Sequence, residues 1–503
     1  MPSFWAASNR RAIINGLLDL TERRIAIITA IVVVLMCAPF WALRHIPTQD
    51  GPAHMNSSAI LAWYGSVPEF QQYFRIHWNP AGNLLSQAMC ALFIRLFDPA
   101  AAEPLILTIY LMLFPLAVWF AVKPVSQFPS AFALASLPFA NNYFLHMGFW
   151  NFYYGAILFF VGIGVYLRWR GWTRFAILTA VCTIAFLFHV TALAALVVVT
   201  AGFGVIEGLR MRRDAWKPAA VAVAAALPAA AMFLSWLIHS GHAANAVVQN
   251  PSLWMRVQAL FGMTFIAAYG NRDGPLLALM TLTFGCLLVL KIRARRKDFA
   301  LLPADALLFA AVLFALLGIA APDHVGDSDY VLVRLHFFAW ICVFLWLSAQ
   351  SWTVRGRALV CATAVLFSGA ELVARYPAYR YWSRQIEQFD QLGSMIPRDA
   401  LYASINLDRS SPLISPVLHA ADSFALKPAV NLSLYQAWTS HFSVSYREAA
   451  HQARPEFILV QAPLDGAFSW TDAEPRFAGR IRGYWLAGEA AEGRLRLYRT
   501  TAR

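Results

Sequence analysis

Charged side chains are scarce in this chain of 503 residues. Only 13% of the residues are Asp, Glu, Lys or Arg, whereas 59% are hydrophobic. Soluble globular domains carry about 25% charged residues, and a soluble protein this apolar has too few polar groups to cover its surface. The composition therefore excludes an ordinary soluble fold and indicates an integral membrane protein, whose apolar surface faces lipid.

Motifs of several protein classes are also missing. The six cysteines form no CxxC pair and no Cys/His cluster, which argues against a zinc site or a disulfide framework. The sequence contains no Walker loop, no dinucleotide-binding fingerprint and no GxSxG elbow. Few charges interrupt the apolar blocks, and no pair of interrupted helices recurs in matching halves, which argues against a secondary transporter.

Long apolar blocks dominate what is present. A membrane-spanning helix needs about 20 apolar residues, with a range of roughly 17 to 25. The predicted fold class is therefore an α-helical polytopic membrane protein with about eleven transmembrane helices. The predicted spans are residues 25–43, 103–122, 128–142, 151–167, 175–189, 190–206, 218–238, 275–290, 304–320, 335–350 and 358–374.

The net charge of +13 is carried by short basic clusters between the apolar blocks. Six of these clusters fall on one side of the predicted bilayer, and an excess of Lys and Arg marks the cytoplasmic side. Residues 1–24 are therefore expected in the cytoplasm, and the C-terminus is expected outside. Because the clusters act as topology determinants, nucleic acid is not expected as a partner.

Two polar regions lie on the predicted outer side. Loop 44–102 contains two stretches of helical periodicity, Met55–Tyr64 and Gly82–Phe97, which are expected to lie at the interface as amphipathic helices. After the transmembrane domain 25–374, charges become frequent, and residues 375–503 are predicted to form a small soluble α/β domain. Its predicted elements are a helix at Tyr381–Leu392 and strands at Leu401–Leu407, Phe457–Gln461 and Arg494–Arg499.

The segment Pro47-Thr-Gln-Asp-Gly-Pro-Ala-His54 follows the first predicted span. Pro52 suits the first turn of a helix and Asp50 suits its N-cap, which would bring Asp50 and His54 together over that turn. One interpretation is chemical, with a carboxylate and an imidazole acting at a membrane surface. The other is structural, with Asp50 only capping the helix and His54 only lying at the interface.

The predicted outer loop before the fourth span is rich in amides and aromatic rings. It includes His146, Trp150 and Asn151, within the sequence from Asn141 to Gly155. Sugars stack their C–H faces on rings and need amide partners for their hydroxyls, so this loop is a candidate sugar-binding site. The structural alternative is an aromatic belt at the membrane interface.

Two more ionisable residues lie at predicted helix ends on the outer side. His189 breaks an apolar block and is either a functional residue or a helix-packing donor. Arg334 follows Asp323, Asp327 and Asp329, and its guanidinium suits a phosphate bound through two parallel hydrogen bonds. The alternatives are a salt bridge from Arg334 to Asp327 or Asp329, and carboxylates that bind a divalent cation or simply face water.

This arrangement resembles the GT-C superfamily of membrane glycosyltransferases over about residues 20–375. Shared features are a first span, a long outer loop that begins with an acidic motif, two interfacial helices, many further spans and often an outer C-terminal domain. Asp50-Gly-Pro-Ala-His54 resembles the acidic motif, and Gly148-Phe-Trp-Asn-Phe152 resembles a pattern of the second outer loop in bacterial members. His189 and Arg334 match positions of a His and of a phosphate-binding Arg. Many members carry two adjacent acidic residues where this chain has one.

The resemblance implies an enzyme that transfers a sugar from a polyprenyl-phosphate donor to a glycan, lipid or protein acceptor. The reaction is expected at the outer face of a bacterial inner membrane, with the C-terminal domain in the periplasm. No fixed cofactor is implied, and a divalent metal ion is left open. The alternatives are a transporter or flippase of lipid-linked glycans and a non-catalytic assembly protein of an envelope polysaccharide system. The expected catalytic residues are Asp50 and His54, and the expected substrate-binding residues are Arg334, His189, Asn151, Trp150 and His146.

Overall fold

The computed structural model describes most of the chain. The described residues are 21–78, 82–211, 216–239, 251–269, 273–296, 301–324, 329–398, 400–406, 413–422, 429–439, 441–452, 466–470 and 484–500. Within these ranges the chain is mostly helical, with a few small sheets towards the C-terminus.

Helices follow one another along most of the described chain, and most of the strands come after residue 400. The helices are α1 (Glu22–Ala42), α2 (Gly51–Trp63), α3 (Pro68–Tyr73), α4 (Leu84–Leu96), α5 (Pro99–Val122), α6 (Pro129–Ala135), α7 (Leu137–Ala140), α8 (Tyr143–Met147), α9 (Trp150–Arg168), α10 (Gly171–Phe188), α11 (Val190–Met211), α12 (Lys217–Ala225), α13 (Leu227–His239), α14 (Leu253–Phe261), α15 (Gly274–Arg295), α16 (Asp305–Ala320), α17 (Val331–Ser348), α18 (Val354–Gly393) and α19 (Glu448–Gln452). The strands are β1 (Phe74–Ile76), β2 (Leu401–Asn406), β3 (Val430–Asn431), β4 (Val444–Tyr446), β5 (Gly466–Trp470), β6 (Tyr484–Ala490) and β7 (Leu495–Thr500), and a 3₁₀ turn covers Tyr435–Trp438.

Eight of the described helices are long and apolar enough to cross a membrane. They are α1, α5, α9, α10, α11, α15, α17 and α18, and the bent pair α12–α13 makes nine if it is one span. Large apolar side chains such as Val34, Leu116 and Leu282 are exposed on the outside of these helices. Contiguous apolar surface of this kind is unfavourable in water and is covered by lipid in a membrane protein.

Two of the predicted spans have a different form in the structure, whereas the segment 304–320 is the continuous helix α16 of 16 residues. The segment 218–238 is bent by 45° between α12 and α13. The segment 128–142 is divided into α6 and α7 at Ser136, because Pro138 cannot donate a backbone hydrogen bond to continue the first helix. These two short helices are buried among α1, α5 and α18, where neighbouring helices can shield a broken backbone from lipid. The total of eleven spans stays a prediction.

Two helices form the centre of the bundle. Both α9 and α17 are buried along most of their length, whereas α15 is mostly exposed and lies at the periphery. The helix α9 packs against α5, α10 and α11, and α17 packs against α16. The loops that carry the candidate residues all begin or end at one end of this bundle.

The predicted domain boundary at residue 375 falls within a helix. A single helix, α18, runs for 40 residues from Val354 to Gly393, and the predicted helix Tyr381–Leu392 is its last part. The increase in charge after residue 375 marks the place where α18 extends beyond the apolar bundle, because only the preceding part needs an apolar exterior. The change in composition therefore marks the point within α18 where the helix leaves the apolar bundle.

The C-terminal residues form a five-stranded sheet with the strand order β3-β2-β5-β7-β6. The strand β2 is parallel to β3 and β5, whereas β5–β7 and β7–β6 are antiparallel. The end of α18 packs on this sheet through Ile386, Phe389 and Leu392. The predicted strands Leu401–Leu407 and Arg494–Arg499 are confirmed as β2 and β7, and Phe457–Gln461 lies outside the described residues.

One part of the C-terminal region covers the loop end of the bundle. Residues 413–422, 429–439 and 441–446, here called the covering segment, share a core with the transmembrane helices. The strand β4 in this segment pairs antiparallel with β1 of loop 44–102, with Arg75 opposite Ser445. The C-terminal region is thus attached to the bundle by a sheet and by a continuous core, in contrast to a separate domain.

The two predicted interfacial helices differ in their surroundings. The helix α4 has the expected amphipathic form, with Cys90 and Ile94 buried and Leu92 and Leu96 exposed. The prediction for α2 is wrong, because Gly51 to Ala62 are all buried beneath the covering segment. Polar side chains can be buried there because the covering segment supplies their hydrogen-bond partners.

Candidate functional site

The segment Pro47–His54 leads into α2, which begins at Gly51. As expected, Pro52 lies in the first turn of this helix. The backbone amides of Gln49 and Asp50 donate to the carbonyl oxygens of His146 and Met147, at 3.0 and 2.9 Å. The segment before α2 and the end of α8, which lie about a hundred residues apart in the sequence, are thereby held side by side. The two motifs identified in the sequence thus form one structural unit.

Gly148 permits this close approach. Its φ is +77°, in the left-handed region, and a Cβ atom there would lie 2.5 Å from the backbone nitrogen of Gly51. Any side chain at Gly148 would therefore be strained and would push the Asp50 segment away. The glycine of the predicted Gly-Phe-Trp-Asn-Phe pattern has a clear steric role.

Asp50 occupies the N-cap position of α2, but its side chain makes no capping hydrogen bond. Its carboxylate accepts hydrogen bonds from Gln49 Nε2 at 3.2 Å and from the Tyr435 hydroxyl at 3.0 Å. The Nε2 atom of His419 lies 3.8 Å from Asp50 Oδ1. The helix-capping interpretation of Asp50 is therefore wrong, and the carboxylate faces groups from the far C-terminal part of the chain.

Burial is the main influence on the acidity of Asp50. It raises the pKa of the carboxyl, and the charge of His419 and the hydrogen bonds from Gln49 and Tyr435 oppose that rise. The charge of Asp422 adds to the rise. A carboxyl whose pKa lies above the usual range is a better proton acceptor than an ordinary surface aspartate when it is ionised.

His54 is buried one helical turn after Asp50 and faces the same covering segment. Its Nδ1 lies 3.0 Å from Gln436 Nε2, and its ring stacks on Trp150 with 5.1 Å between ring centroids. Because the amide nitrogen of Gln436 can only donate, Nδ1 accepts and the ring proton is assigned to Nε2. Burial, together with the charge of His419, lowers the pKa of His54 to about 3, so the imidazole is neutral. The prediction that His54 merely lies at the interface is wrong.

The predicted sugar-binding loop is divided between two roles. His146 is buried and both of its ring nitrogens have partners, the Asn142 carbonyl oxygen and the Tyr379 hydroxyl, each at 2.7 Å. That arrangement makes His146 a packing residue between α8 and α18 and not a residue that faces Asp50. Trp150, in contrast, lies against His54, and its indole Nε1 has no hydrogen-bond partner among the described residues.

Asn151 is tied to the covering segment through one intermediate residue. Its side-chain amide donates to the Asn83 side-chain oxygen, and the Asn83 amide donates to the carbonyl oxygen of His441 at 3.3 Å. His189 lies nearby, since its ring meets the face of Phe152 edge-on at 5.3 Å. Its Nδ1 accepts a hydrogen bond from the backbone nitrogen of Thr191 at 3.1 Å, so one ring nitrogen serves the start of α11.

Arg334 is buried in the first turn of α17. Its guanidinium carbon lies 5.3 Å from the ring centroid of Phe149 and 5.7 Å from that of Phe152. Asp329 contacts His324 and also acts on Arg334 through its charge, so the predicted interaction between Arg334 and Asp329 stays open. Asp327, the other predicted salt-bridge partner, lies outside the described residues. A guanidinium over aromatic rings keeps its charge while water is excluded.

Two tyrosines connect the surroundings of Arg334 with those of Asp50. Tyr143 and Tyr330 pack together with 5.9 Å between ring centroids, and Tyr330 also contacts Phe149 at 5.7 Å. Both interact electrostatically with Asp50 and with Arg334. Burial, followed by the charge of Asp50, raises the pKa of Tyr330 to about 12. The two predicted functional residues therefore belong to one region.

Several residues of this region escaped prediction from the sequence. Four of them lie in the covering segment: His419, Asp422, Tyr435 and Gln436. They were missed because the composition assigns this segment to a separate domain. One signal was present in α2, where the polar run Asn-Ser-Ser at 56–58 interrupts an apolar helix. Asn56 donates to Asp422 at 3.0 Å and Ser57 to Gln436, so these polar residues mark the buried contact with the C-terminal region.

The described residues contain no group of three or more His, Cys, Asp and Glu side chains that could hold a metal ion. The loop that carries Asp323, Asp327 and Asp329 is described only in part. The divalent metal ion left open by the sequence therefore stays an open prediction.

The apolar helices and this buried polar region define a class, a helical multi-pass membrane protein with a polar cluster beneath its C-terminal segment. In comparison with known proteins, no family model matches the chain, and no curated protein matches it either.

Proposed function

We propose that the protein is a membrane glycosyltransferase of the GT-C type. In this proposal it moves a sugar from a polyprenyl-phosphate donor to a glycan, lipid or protein acceptor. The reaction takes place at the periplasmic face of a bacterial inner membrane. The observation that carries the proposal is the carboxylate of Asp50, which is buried, does not cap its helix and lies in one region with the cation Arg334.

The reaction needs a base for the acceptor and a positive charge for the leaving group. Asp50 takes the proton of the acceptor hydroxyl as the acceptor oxygen bonds to the anomeric carbon of the sugar. The bond between that carbon and the phosphate oxygen breaks, and its electron pair leaves with the polyprenyl phosphate. Arg334 stabilises the charge of this phosphate. Direct displacement inverts the anomeric carbon.

Aromatic and amide groups near Asp50 support sugar as the substrate. Trp150 offers a ring, Asn151 an amide, and His54 a neutral imidazole that can donate from Nε2. Asp50 is only 7% exposed, so the donor and the acceptor reach it when the side chains of Tyr435 and Gln436 turn aside. That change breaks polar side-chain contacts and leaves the β1–β4 pair, the shared core and His419 in place.

One observation favours the alternative of a non-catalytic assembly protein. The carboxylate of Asp50 already has partners in the covering segment, so its role in that alternative is to hold the segment on the bundle. Such a protein recruits partners through its C-terminal region and needs no proton acceptor.

A reconstitution experiment distinguishes these functions. Full-length protein in lipid nanodiscs is incubated with polyprenyl-phosphate sugars extracted from the source membranes, and mass spectrometry follows the lipids and the acceptor. The proposal expects loss of sugar from the lipid and a mass increase of one sugar on the acceptor. An assembly protein leaves both masses unchanged, and a flippase in sealed vesicles changes the leaflet of the lipid but not its mass.

A further inference from the structure

The covering segment brings a second ionisable side chain to Asp50. His419 lies between two carboxylates, with Nε2 at 3.8 Å from Asp50 Oδ1 and Nδ1 at 3.5 Å from Asp422 Oδ2. Its ring packs on Tyr435 with 4.8 Å between ring centroids. Both nitrogen–oxygen distances are longer than a good hydrogen bond, so the contacts act mainly through charge.

The far carboxylate is well supported. Asp422 Oδ1 accepts hydrogen bonds from the side-chain amides of Asn56, at 3.0 Å, and Asn431. These hydrogen bonds hold the Asp422 carboxylate in place beside the ring of His419.

The protonation of His419 follows from these neighbours. Burial by itself lowers the pKa of the imidazole, but the close contact with Asp422 and the charges of Asp50 and Asp422 outweigh burial, and the pKa is raised. The other titratable groups that act on Asp50 are Tyr435, Tyr143 and Tyr330. His54, which also interacts with His419, is neutral.

We propose that His419 is a positioning residue that, as an imidazolium fixed between Asp50 and Asp422, keeps the buried Asp50 carboxylate ionised for proton transfer. This inference rests on the proposed function of Asp50 as the base. The proton of the acceptor hydroxyl goes to Asp50, and His419 keeps its own proton throughout the reaction. The covering segment thus completes the site as well as closing it.

A role in docking alone predicts something different. If His419 only attaches the covering segment to the bundle, its loss weakens that contact but leaves the proton affinity of Asp50 unchanged. If His419 is a counter-ion, its loss disfavours the charged form of Asp50 and raises the pKa of that carboxyl. An opposite charge at this distance lowers a carboxyl pKa by about 1 to 3 units, which sets the size of the expected change.

The experiment measures the protonation of Asp50 directly. Full-length protein in nanodiscs is titrated by infrared difference spectroscopy, and the carboxyl band that Asp50→Asn removes is assigned to Asp50. In His419→Gln the midpoint of this band is expected to rise by about 1 to 3 pH units. The matched control is His77→Gln, because His77 contacts Ser445 of the covering segment at 2.6 Å and not Asp50, and its midpoint is expected to equal that of the wild type.

His419→Asn provides a second variant if His419→Gln does not fold. It also removes the imidazolium and leaves both carboxylates in place, so the Asp50 midpoint is again expected to rise by about 1 to 3 pH units. An Asp50 midpoint equal to that of the wild type in folded His419→Gln, or in folded His419→Asn, overturns the inference. Because the band reports Asp50 whether or not a sugar is transferred, wild-type protein that transfers no sugar overturns the proposed function separately.

Discussion

Asp50 and Asp98 both stand at helix N-caps, but they behave differently. The side chain of Asp98 accepts a hydrogen bond from the backbone nitrogen of Ala100 at 2.9 Å, as a capping residue does. The side chain of Asp50 makes no such bond and faces Tyr435 and His419. This pair provides a test of the base, because Asn caps a helix about as well as Asp does.

Asp50→Asn is expected to give a folded protein with transfer activity reduced by about 10²- to 10⁴-fold, because an amide cannot accept the proton. The rate is measured as sugar transferred per minute at equal amounts of protein in nanodiscs. Asp98→Asn is the control and is expected to keep the wild-type rate. An Asp50→Asn protein that transfers sugar as fast as Asp98→Asn does would show that Asp50 is not the base. His54→Ala is expected to cause a smaller loss than Asp50→Asn.

Arg334→Lys is expected to impair transfer although the charge is kept. A lysine offers a point charge and cannot reproduce the two parallel hydrogen bonds of a guanidinium to phosphate. The measurement is the affinity for the polyprenyl-phosphate donor together with the transfer rate. The control is Arg357→Lys, since Arg357 also lies over a phenylalanine ring, that of Phe128, but at the start of α18. If both variants bind the donor with equal affinity, Arg334 does not bind the donor phosphate.

At the scale of elements, the site depends on the contact between the start of α2 and the loop after α8. Backbone hydrogen bonds link the two at Gln49 and Asp50, and Gly148 allows their main chains to meet. The orientation of Asp50 is therefore a property of two elements. A change at Gly148 tests this without touching any side chain of the site.

Gly148→Ala is expected to lower both the melting temperature and the transfer rate. A residue other than glycine in the left-handed region costs about 1–3 kcal/mol, and the new Cβ in addition meets the Gly51 backbone. Gly171→Ala is the matched control, because Gly171 has a φ of +56° but nothing within 4 Å of the added Cβ. It is expected to show only the cost of the backbone conformation. Equal effects of the two changes in thermal unfolding would contradict the proposed contact.

At the scale of the whole molecule, the protein is a bundle of apolar helices with its C-terminal region fixed over one end. The connection is made by the long helix α18, by the β1–β4 pair and by a continuous core. All candidate residues lie at the covered end. In the proposed function, the reaction therefore takes place on whichever side of the membrane the C-terminal region occupies.

Alkaline phosphatase fused to the C-terminus is expected to be active, because the basic clusters predict that this end lies in the periplasm. The enzyme folds only there, whereas a green fluorescent protein fused at the same position is expected to remain dark. The enzyme activity and the fluorescence of the two fusions are measured at equal expression. An inactive phosphatase fusion together with a fluorescent second fusion would reverse the topology and move the site to the cytoplasm.

The features that were predicted correctly depend on local interactions. The apolar length of most spans, the start of α2 at Gly51 with Pro52 in its first turn, and the strands β2 and β7 all follow from neighbouring residues and their periodicity. The choice of Asp50 as a candidate also came from its neighbours. The local sequence favoured a capping role and a catalytic role for Asp50 equally, because an aspartate at the start of a helix suits both roles.

The groups that surround Asp50 come from distant parts of the chain and could not be predicted. Tyr435 reaches Asp50 across 385 residues, and no local pattern indicates that a C-terminal turn will bury an N-terminal helix. The break at Ser136 and the continuity of α18 through residue 375 were likewise decided by packing. The physical reason is that burial and charge depend on the groups that are close in space, and folding selects these groups from distant parts of the chain.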